Sequence, residues 1–369
     1  MGELIAWMDR VPAADAIAVA GPKMGRLAEL TALGMRVPRS FAVTVDAFRA
    51  HAAASGLGDL ADAEIAALSD PADTAAVDAC TERIRAAYLG TPIAADLGAA
   101  ITAAYERLSA LCSNINTPVA VRSSAAGEDS SDASFAGVFD TYLGVSGIEA
   151  VIAAVRGCWA SLFTSRAVSY RLERGITHAD MPMAVGVVEL VHARASGVAF
   201  SGHPVTGKRD RVVVEASWGW GAAVVAGLVT PDHVQIDKQD RRVLRYDVAT
   251  KAVVSNLDYQ TGQVVERPMP EHLRDRPALD AEQIQAVVDA VLRIEQHYGY
   301  PVDVEWVVDR YRRPGEPVSI VQARPLTAPL TALLTAPLTE ALTEPNAAPP
   351  PHGWDAVAYA VKYALGPGL

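Results

Sequence analysis

The segment from residue 302 to residue 324 contains side chains that could hold a magnesium ion. Asp303 and Glu305 alternate with apolar residues, so both would lie on one face of a strand. A loop rich in Arg, Pro and Gly follows, and the resulting hairpin would bring Gln322 close to Glu305 and place Arg324 on the same face. Such oxygen ligands suit Mg²⁺ bound to phosphates, and an arginine there could reach a phosphate. The alternative, which the pattern alone favours, is a solvated sheet face.

Two further basic residues stand where a phosphate could bind. Lys23 lies in a glycine-bounded turn at the start of a helix, where backbone amides and the helix dipole favour anions. Such turns are usually simple connections, and this one lacks the P-loop pattern. Arg122 ends an apolar strand directly before two serines, and its guanidinium could bind a phosphate in a bidentate way. A surface ion pair of Arg122 with Glu128 or Asp129 is an equally good interpretation.

Other types of active site find little support in the sequence. The eight histidines show no spacing suited to zinc. Ser161 and Ser217 lack the context of a nucleophile elbow. The glycines at 219–221 imitate a dinucleotide fingerprint, but Val224 stands where its third glycine belongs. The sequence therefore gives no support to a serine hydrolase, a zinc site or a dinucleotide-binding motif.

The composition of the 369 residues is that of a globular protein with two or three lobes. Half of the residues are apolar and the net charge is -11, which opposes binding to nucleic acid. No apolar run of about 20 residues predicts a membrane span, and the N-terminus lacks the long apolar core of a secretory signal. Three widely spaced cysteines suit free thiols in the cytoplasm.

These candidate residues must be positioned by alternating helices and strands. Helical periodicity is seen near residues 74–88, 94–111, 148–174 and 281–297, and strand-like runs lie between them. The order favours an α/β or α+β fold. Beyond Pro325 the sequence becomes a Pro-rich linker with a short amphipathic end, which could dock on a partner or be a frayed tail.

Seven ordered segments make the chain resemble the nucleotide-binding part of phosphoenolpyruvate synthase, pyruvate phosphate dikinase and rifampin phosphotransferase. The segments are Gly21-Pro22-Lys23-Met24-Gly25, Val119-Ala120-Val121-Arg122-Ser123-Ser124-Ala125, Asp132-Ala133-Ser134-Phe135-Ala136-Gly137, Cys158-Trp159-Ala160-Ser161-Leu162-Phe163, Glu215-Ala216-Ser217-Trp218-Gly219, Val229-Thr230-Pro231-Asp232 and Val321-Gln322-Ala323-Arg324-Pro325. The resemblance extends from about Ile17 to Pro325.

The resemblance implies an ATP-grasp fold, with ATP sandwiched between two lobes at 1–195 and 196–328 and a linker and tail at 329–369. It makes three basic residues the catalytic groups that contact phosphates: Lys23, Arg122 and Arg324. It assigns metal binding to the acidic and amide residues Glu305, Gln322 and Asp303. It also implies a covering loop that includes Gly137, Val138, Asp140 and Thr141. The remaining ATP contacts would come from a strand end that faces adenine: Val188, Glu189 and Leu190.

The same resemblance implies an activity, with ATP and Mg²⁺ as cofactors. Relatives split ATP into AMP and phosphate and pass a phosphoryl group to a histidine on a swivelling domain. The Thr-x-His signature of that domain is not seen here, so we expect a separate subunit to carry the phosphohistidine and the acceptor site. This division resembles two-component phenylphosphate synthases and the similar synthases that phosphorylate 4-cresol. The alternatives are an ATP-sensing module without turnover, or the ATP-binding component of a split antibiotic phosphotransferase or phosphoenolpyruvate synthase.

The chain departs from the family pattern at three positions. Ala222 and His203 stand where relatives usually have carboxylates, which puts metal or interface contacts there in doubt. Val188 stands where a glutamine is common, so adenine contacts would depend more on the backbone.

Overall fold

The computed structural model describes residues 3–125, 129–130, 133–134, 138–221, 229–258 and 263–326. The chain divides into two compact units, Met1–Leu190 with Leu257–Val264 and Val191–Asn256 with Val265–Leu369. Several sheets and many helices make up an α+β protein, in which the paired strands within the described residues run antiparallel. The lobe boundaries expected from the sequence stay predictions, and the segment 329–369 lies outside the described residues.

The first unit is a five-stranded sheet with helices on both faces. Its strands are β1 (Ile5–Trp7), β2 (Ser40–Val43), β3 (Val119–Ala125), β4 (Asp129–Ser130), β5 (Ala133–Ser134), β6 (Thr141–Val145) and β7 (Met183–Glu189). Its helices are α1 (Ala13–Ala32), α2 (Val45–Ser55), α3 (Leu57–Ala66), α4 (Thr74–Gly90), α5 (Ala95–Leu111), α6 (Ile148–Ser161) and α7 (Ser165–Arg174). The strand order in the large sheet is β1-β2-β7-β3-β6, while β4 and β5 pair separately.

The two faces of this sheet carry different cores, because side chains alternate along each strand. Val119 and Val121 point into a large cluster with residues of α2 and α4 to α7. Ala120 and Val188 belong to a smaller cluster that is formed largely by α1. By the same alternation, Arg122 lies on the face that α1 covers.

The second unit is a six-stranded sheet in the order β11-β10-β9-β8-β14-β15. Its elements are β8 (Ala193–Phe200), β9 (Arg211–Trp218), β10 (Asp232–Asp237), β11 (Val243–Asp247), α8 (Glu271–Arg274), α9 (Ala281–Tyr298), β14 (Val302–Asp309) and β15 (Ser319–Pro325). Between β11 and α8 the chain forms a hairpin of β12 (Val253–Asp258) and β13 (Gln263–Pro268).

Helix α9 begins with a capping box, in which Asp280 and Gln283 bond each other's backbone amides. It packs against β14, β8 and β9 through one apolar face. Val302, Val304, Trp306 and Val308 of β14 are all buried, as predicted for one face of this strand. Asp303 and Val307 on the other face are buried too, so exposure does not alternate along β14.

Strand β2 ends at Val43, because Thr44 caps helix α2 through its hydroxyl. Residues 17–20 are helical and belong to α1. Most elements predicted from periodicity are present, and one is corrected. The long helix expected over residues 148–174 is divided into α6 and α7, since Thr164 caps a new helix.

The stretch Ile148–Arg174 has the length and composition of a membrane span. However, 56% of its apolar window is buried inside the protein, as in the core helix of a soluble protein.

Candidate functional site

Lys23 lies in the first turn of a helical segment, as the sequence predicts. Helix α1 is interrupted at Gly21, whose φ of 72° and ψ of 169° are not helical, and a second segment starts at Pro22. Proline is well suited to the first helical position, because its fixed φ matches the helix and its missing N–H is not needed there. The half-buried Lys23 therefore stands at the positive end of a helix dipole, where an anion is favoured.

This helix start is seated against strand β3. The Met24 N–H donates to the Ser124 hydroxyl at 3.2 Å, in a buried contact between residues 100 apart in the chain. A Cβ atom on Gly21 would lie 2.0 Å from the carbonyl oxygen of Ser124, and one on Gly186 would lie 2.2 Å from the Met24 sulfur. At Gly21 the obstacle is backbone, so only a glycine there allows α1 to approach the sheet so closely, whereas the Met24 side chain opposite Gly186 can move.

Arg122 lies two residues before Ser124 and on the same face of β3. It is half-buried, and in the register of the sheet it stands between Gly186 of β7 and Thr141 of β6. The fold thus brings Lys23 and Arg122 to one surface of the sheet. The alternative ion pair of Arg122 stays open, since Glu128 lies outside the described residues.

The predicted covering loop is described in part. Gly137 lies outside the described residues. Val138 is half-buried and packs against the larger core, and the Asp140 carbonyl accepts from the Ser123 N–H at 3.4 Å. Thr141 is exposed beside Arg122. Asp140 and Thr141 are therefore neighbours of Arg122, and their roles toward ATP stay predictions.

The strand end that is predicted to face adenine is the C-terminal end of β7. Val188 is 3% exposed and belongs to the α1 core, so its side chain is used in packing. The Glu189 carboxylate accepts from the Arg39 backbone N–H at 3.2 Å and pairs with its guanidinium at 3.5 Å. The Leu190 N–H donates to the Pro118 carbonyl.

In the second unit, the four residues expected at the metal site stand together on β14 and β15. Glu305 is directly opposite Gln322, and Asp303 is opposite Arg324. The Arg324 Nε–H donates to the Asp303 carboxylate at 2.8 Å. Asp303 and Gln322 are only 5% and 6% exposed, so the alternative of a solvated face is wrong for these two residues.

The side chains of Glu305 and Gln322 fit a hard cation. Both supply oxygen, and they stand directly opposite each other on two adjacent strands. Asp303 is already engaged by Arg324, so it orients the guanidinium that the sequence predicts to bind phosphate, as well as being a candidate metal ligand. No cluster of three His, Cys, Asp or Glu side chains suited to a metal is found in the described parts of the chain.

The same sheet face carries a polar cluster that was not predicted from the sequence. The cross-strand row that contains Glu305 continues through Val198 to Glu215 and His233. Glu215 is fully buried and its carboxylate lies 2.5 Å from His233 Nδ1. One sequence pattern could have indicated this cluster: in β10, His233 and Gln235 alternate with the buried Val234 and Ile236 and therefore share one face.

A chain of donors fixes the proton positions in this cluster. Arg211 can only donate, and its guanidinium bonds the Gln235 side-chain oxygen at 3.1 Å. The Gln235 amide nitrogen therefore faces His233 Nε2 at 2.9 Å and donates to it. Because Nε2 accepts, Nδ1 carries the ring proton and donates to Glu215.

His203, at a position where the resemblance predicts a carboxylate, accepts hydrogen bonds as a carboxylate would. Its Nδ1 accepts from the backbone N–H groups of Val205 and Thr206 at 3.2 and 3.3 Å. Burial lowers the pKa of this imidazole, and the positive charges of Arg211 and Lys208 lower it further, against the opposing effect of Asp210. A neutral ring that accepts two hydrogen bonds holds the loop after β8 as an aspartate would.

Comparison with known proteins identifies the family. The family model for the AMP/ATP-binding domain of pyruvate phosphate dikinase matches residues 17–333. A rifampicin phosphotransferase of Streptomyces sp is 39% identical over 328 residues, which cover 88% of this chain and 36% of that protein.

Two phosphoenolpyruvate synthases are also similar to this chain. A probable phosphoenolpyruvate synthase of Methanocaldococcus jannaschii is 36% identical over 325 residues, covering 88% of this chain and 27% of that protein. The phosphoenolpyruvate synthase of Aeropyrum pernix is 34% identical over 347 residues, covering 88% and 42%. The chain thus spans less than half the length of these relatives. Since the match includes most of its residues, the chain belongs to the family of the AMP/ATP-binding domain of pyruvate phosphate dikinase.

Proposed function

We propose that this chain is the ATP-binding and ATP-cleaving part of a dikinase-type phosphotransferase with an ATP-grasp fold. The family supports an ATP-utilising phosphotransferase module. The observation that carries the finer proposal is the registered pairing of Glu305 with Gln322 and of Asp303 with Arg324. Four residues predicted from the sequence to act on Mg-ATP meet there as two cross-strand pairs.

In the first unit, Lys23 and Arg122 would bind phosphate oxygens. A lysine at a helix N-terminus and an arginine beside it on the sheet supply two positive charges and backbone amides. Thr141 and Asp140 would border the phosphates, and the backbone near Glu189 and Leu190 would face adenine.

In the second unit, Glu305 and Gln322 would hold Mg²⁺ and Arg324 would bind a phosphate. The ion, when bound, neutralises charge that builds up on the transferred phosphoryl group. Asp303 holds the Arg324 guanidinium in place through its 2.8 Å hydrogen bond. Positioning and electrostatic stabilisation are the main contributions that phosphoryl transfer requires of a protein.

We further propose that the phosphoryl group passes to a histidine on a separate subunit in the cytoplasm. That subunit would also bind the acceptor, for which phenol or 4-cresol is our first choice. The similarity to a rifampicin phosphotransferase supports an antibiotic as a second candidate, and the phosphoenolpyruvate synthases support pyruvate.

The first experiment tests cleavage of ATP with a charge-removing variant. Purified wild-type protein and Glu305→Gln are incubated with Mg-ATP and a phosphohistidine-domain protein from the same genome, and AMP is quantified. We expect AMP from the wild type and at least about 100-fold less from Glu305→Gln, since the negative charge that would hold Mg²⁺ is lost. Glu271→Gln, at an exposed position in the same unit, is the matched control. Equal AMP formation by Glu305→Gln would refute the assignment of Glu305.

The second experiment identifies the acceptor. The same mixture is supplied in turn with phenol, 4-cresol, pyruvate and rifampicin, and phosphorylated products are separated and quantified. A phosphorylated aromatic would support the split synthase, and a phosphorylated antibiotic or phosphoenolpyruvate would replace it by the corresponding alternative. ATP binding without AMP under every condition would favour an ATP-sensing module.

A further inference from the structure

The helix segment that carries Lys23 lacks a capping residue of its own. A helix usually begins at a residue whose side-chain oxygen accepts from the second or third backbone N–H. Gly21 occupies that position here and has no side chain. Pro22 has no N–H, so the first amides that need an acceptor are those of Lys23 and Met24.

Ser124 supplies the missing cap from another element. Its fully buried hydroxyl accepts from the Met24 N–H, the third helical residue, at 3.2 Å. An ordinary capping residue could not stand at Gly21, because its Cβ would lie 2.0 Å from the Ser124 carbonyl oxygen and 2.5 Å from its hydroxyl. The positive φ of Gly21 also disfavours any side chain there.

The position of Ser124 gives this cap a consequence for the site. Ser124 and Arg122 are two residues apart on β3 and point to the same face. The cap therefore joins the turn that carries Lys23 to the strand that carries Arg122. This hydrogen bond and the close approach of Gly21 to Ser124 therefore help to fix the spacing of these two cations, together with the apolar packing of α1 on the sheet.

We propose that Ser124 is a positioning residue for ATP cleavage, which fixes the distance between Lys23 and Arg122. The proposal rests on the proposed function, since it presumes that both cations bind the phosphates of ATP. Ser124 itself touches no reacting atom in this scheme. Its loss should leave both charges present but misaligned, which lowers the rate of the chemical step more than the affinity for ATP.

The test is a series at Ser124 that separates hydrogen bonding from volume. Ser124→Cys keeps nearly the same volume and accepts hydrogen bonds only weakly, while Ser124→Ala removes the acceptor and leaves a small space. We expect kcat for AMP formation to fall about 10- to 100-fold in both variants. KM for ATP should change less than about threefold, because both cations remain.

Ser123→Ala is the matched control on the same strand. Ser123 is equally buried but points to the opposite face, and its hydroxyl has no partner within the described part of the chain. We expect its kcat to equal that of the wild type. Circular dichroism and the thermal midpoint show whether each variant is folded, and Ser124→Cys keeps the series informative if Ser124→Ala fails to fold.

The outcomes separate the two proposals. If the wild type neither binds ATP in a calorimetric titration nor forms AMP with its partner, both the proposed function and the role of Ser124 are overturned. If the wild type forms AMP and Ser124→Cys matches it, only the positioning role is overturned. A fall in kcat for Ser124→Cys and Ser124→Ala with an unchanged Ser123→Ala supports it.

Discussion

Replacing Lys251 by methionine should destabilise the second unit more than any exposed charge substitution. Lys251 and Asp232 are both fully buried, and they form an ion pair in which the ammonium also donates to the Ala249 carbonyl at 2.8 Å. The Asp232 carboxylate accepts in addition from the backbone N–H groups of Ala249 and Ala278, at 2.9 and 2.7 Å. This carboxylate therefore joins three segments of the chain.

The expected loss follows from the burial. Removing one partner of a buried ion pair costs about 3 to 5 kcal/mol, because the remaining charge stays without its counter-charge. Two backbone donors remain on Asp232, so we expect the lower end, about 3 kcal/mol. For a unit of this size the thermal midpoint should fall by roughly 6 to 12 °C.

Urea unfolding followed by tryptophan fluorescence and hydrogen exchange gives the measurement, with Trp306 as a buried reporter in the same unit. Arg245→Met is the control, since its ion pair with Asp247 is 62% and 49% exposed and should contribute at most about 1 kcal/mol. The double variant Asp232→Asn/Lys251→Met should recover part of the loss, because it leaves no charge buried. A Lys251→Met variant within about 1 kcal/mol of the wild type would refute this reasoning.

Three further predictions follow from the geometry. Gly21→Ala should lower the thermal midpoint strongly and abolish AMP formation, because the new Cβ would collide with the backbone of Ser124. Gly56→Ala is the control: Gly56 has a similar φ but lies in open space, so the free energy of unfolding should fall by only about 1 kcal/mol. Equal effects of the two substitutions would contradict the close contact at Gly21. Burial lowers the pKa of His51, with help from the charge of Arg156. The unfolded state thus binds more protons, and stability should fall as pH drops below about 6.5. His51→Gln should reduce that fall in a thermal series from pH 7.5 to 5.5, and an unchanged slope would exclude His51 as a cause. Asp303→Asn should lower kcat for AMP formation by at least about tenfold, because the carboxylate that holds Arg324 is lost. A variant whose kcat and pH-rate profile equal those of the wild type would argue against this role.

Local sequence patterns correctly predicted those helices and strands whose type and bounds do not depend on distant contacts. The stripes of α4, α5 and α9 and the alternation of β14 are properties of short windows, so their bounds agree within a few residues. The division between α6 and α7 was missed because an apolar stripe runs through both, whereas the break depends on the hydroxyl of Thr164. A cap can outweigh continuous periodicity, since it satisfies amides that the stripe leaves without partners.

The site was predictable where two residues share one hairpin and not where they come from distant strands. Glu305 and Gln322 could be paired from the sequence because a short loop fixes the register of β14 and β15, apart from a bulge after Glu305. Glu215 and His233 could not, because the order β10-β9-β8-β14 is a property of the whole sheet. No local pattern reveals that Lys251 is buried.

In each unit, a cation that the sequence identified is held by a residue whose role only the fold reveals. The hydroxyl of Ser124 caps the turn of Lys23, and the carboxylate of Asp303 holds the guanidinium of Arg324. Long cationic side chains lose much of their freedom when they must meet a phosphate, and a fixed partner removes part of that loss before the ligand arrives. Substitutions at these two partners should therefore lower the rate of ATP cleavage while leaving both cations, and most of the affinity for ATP, in place.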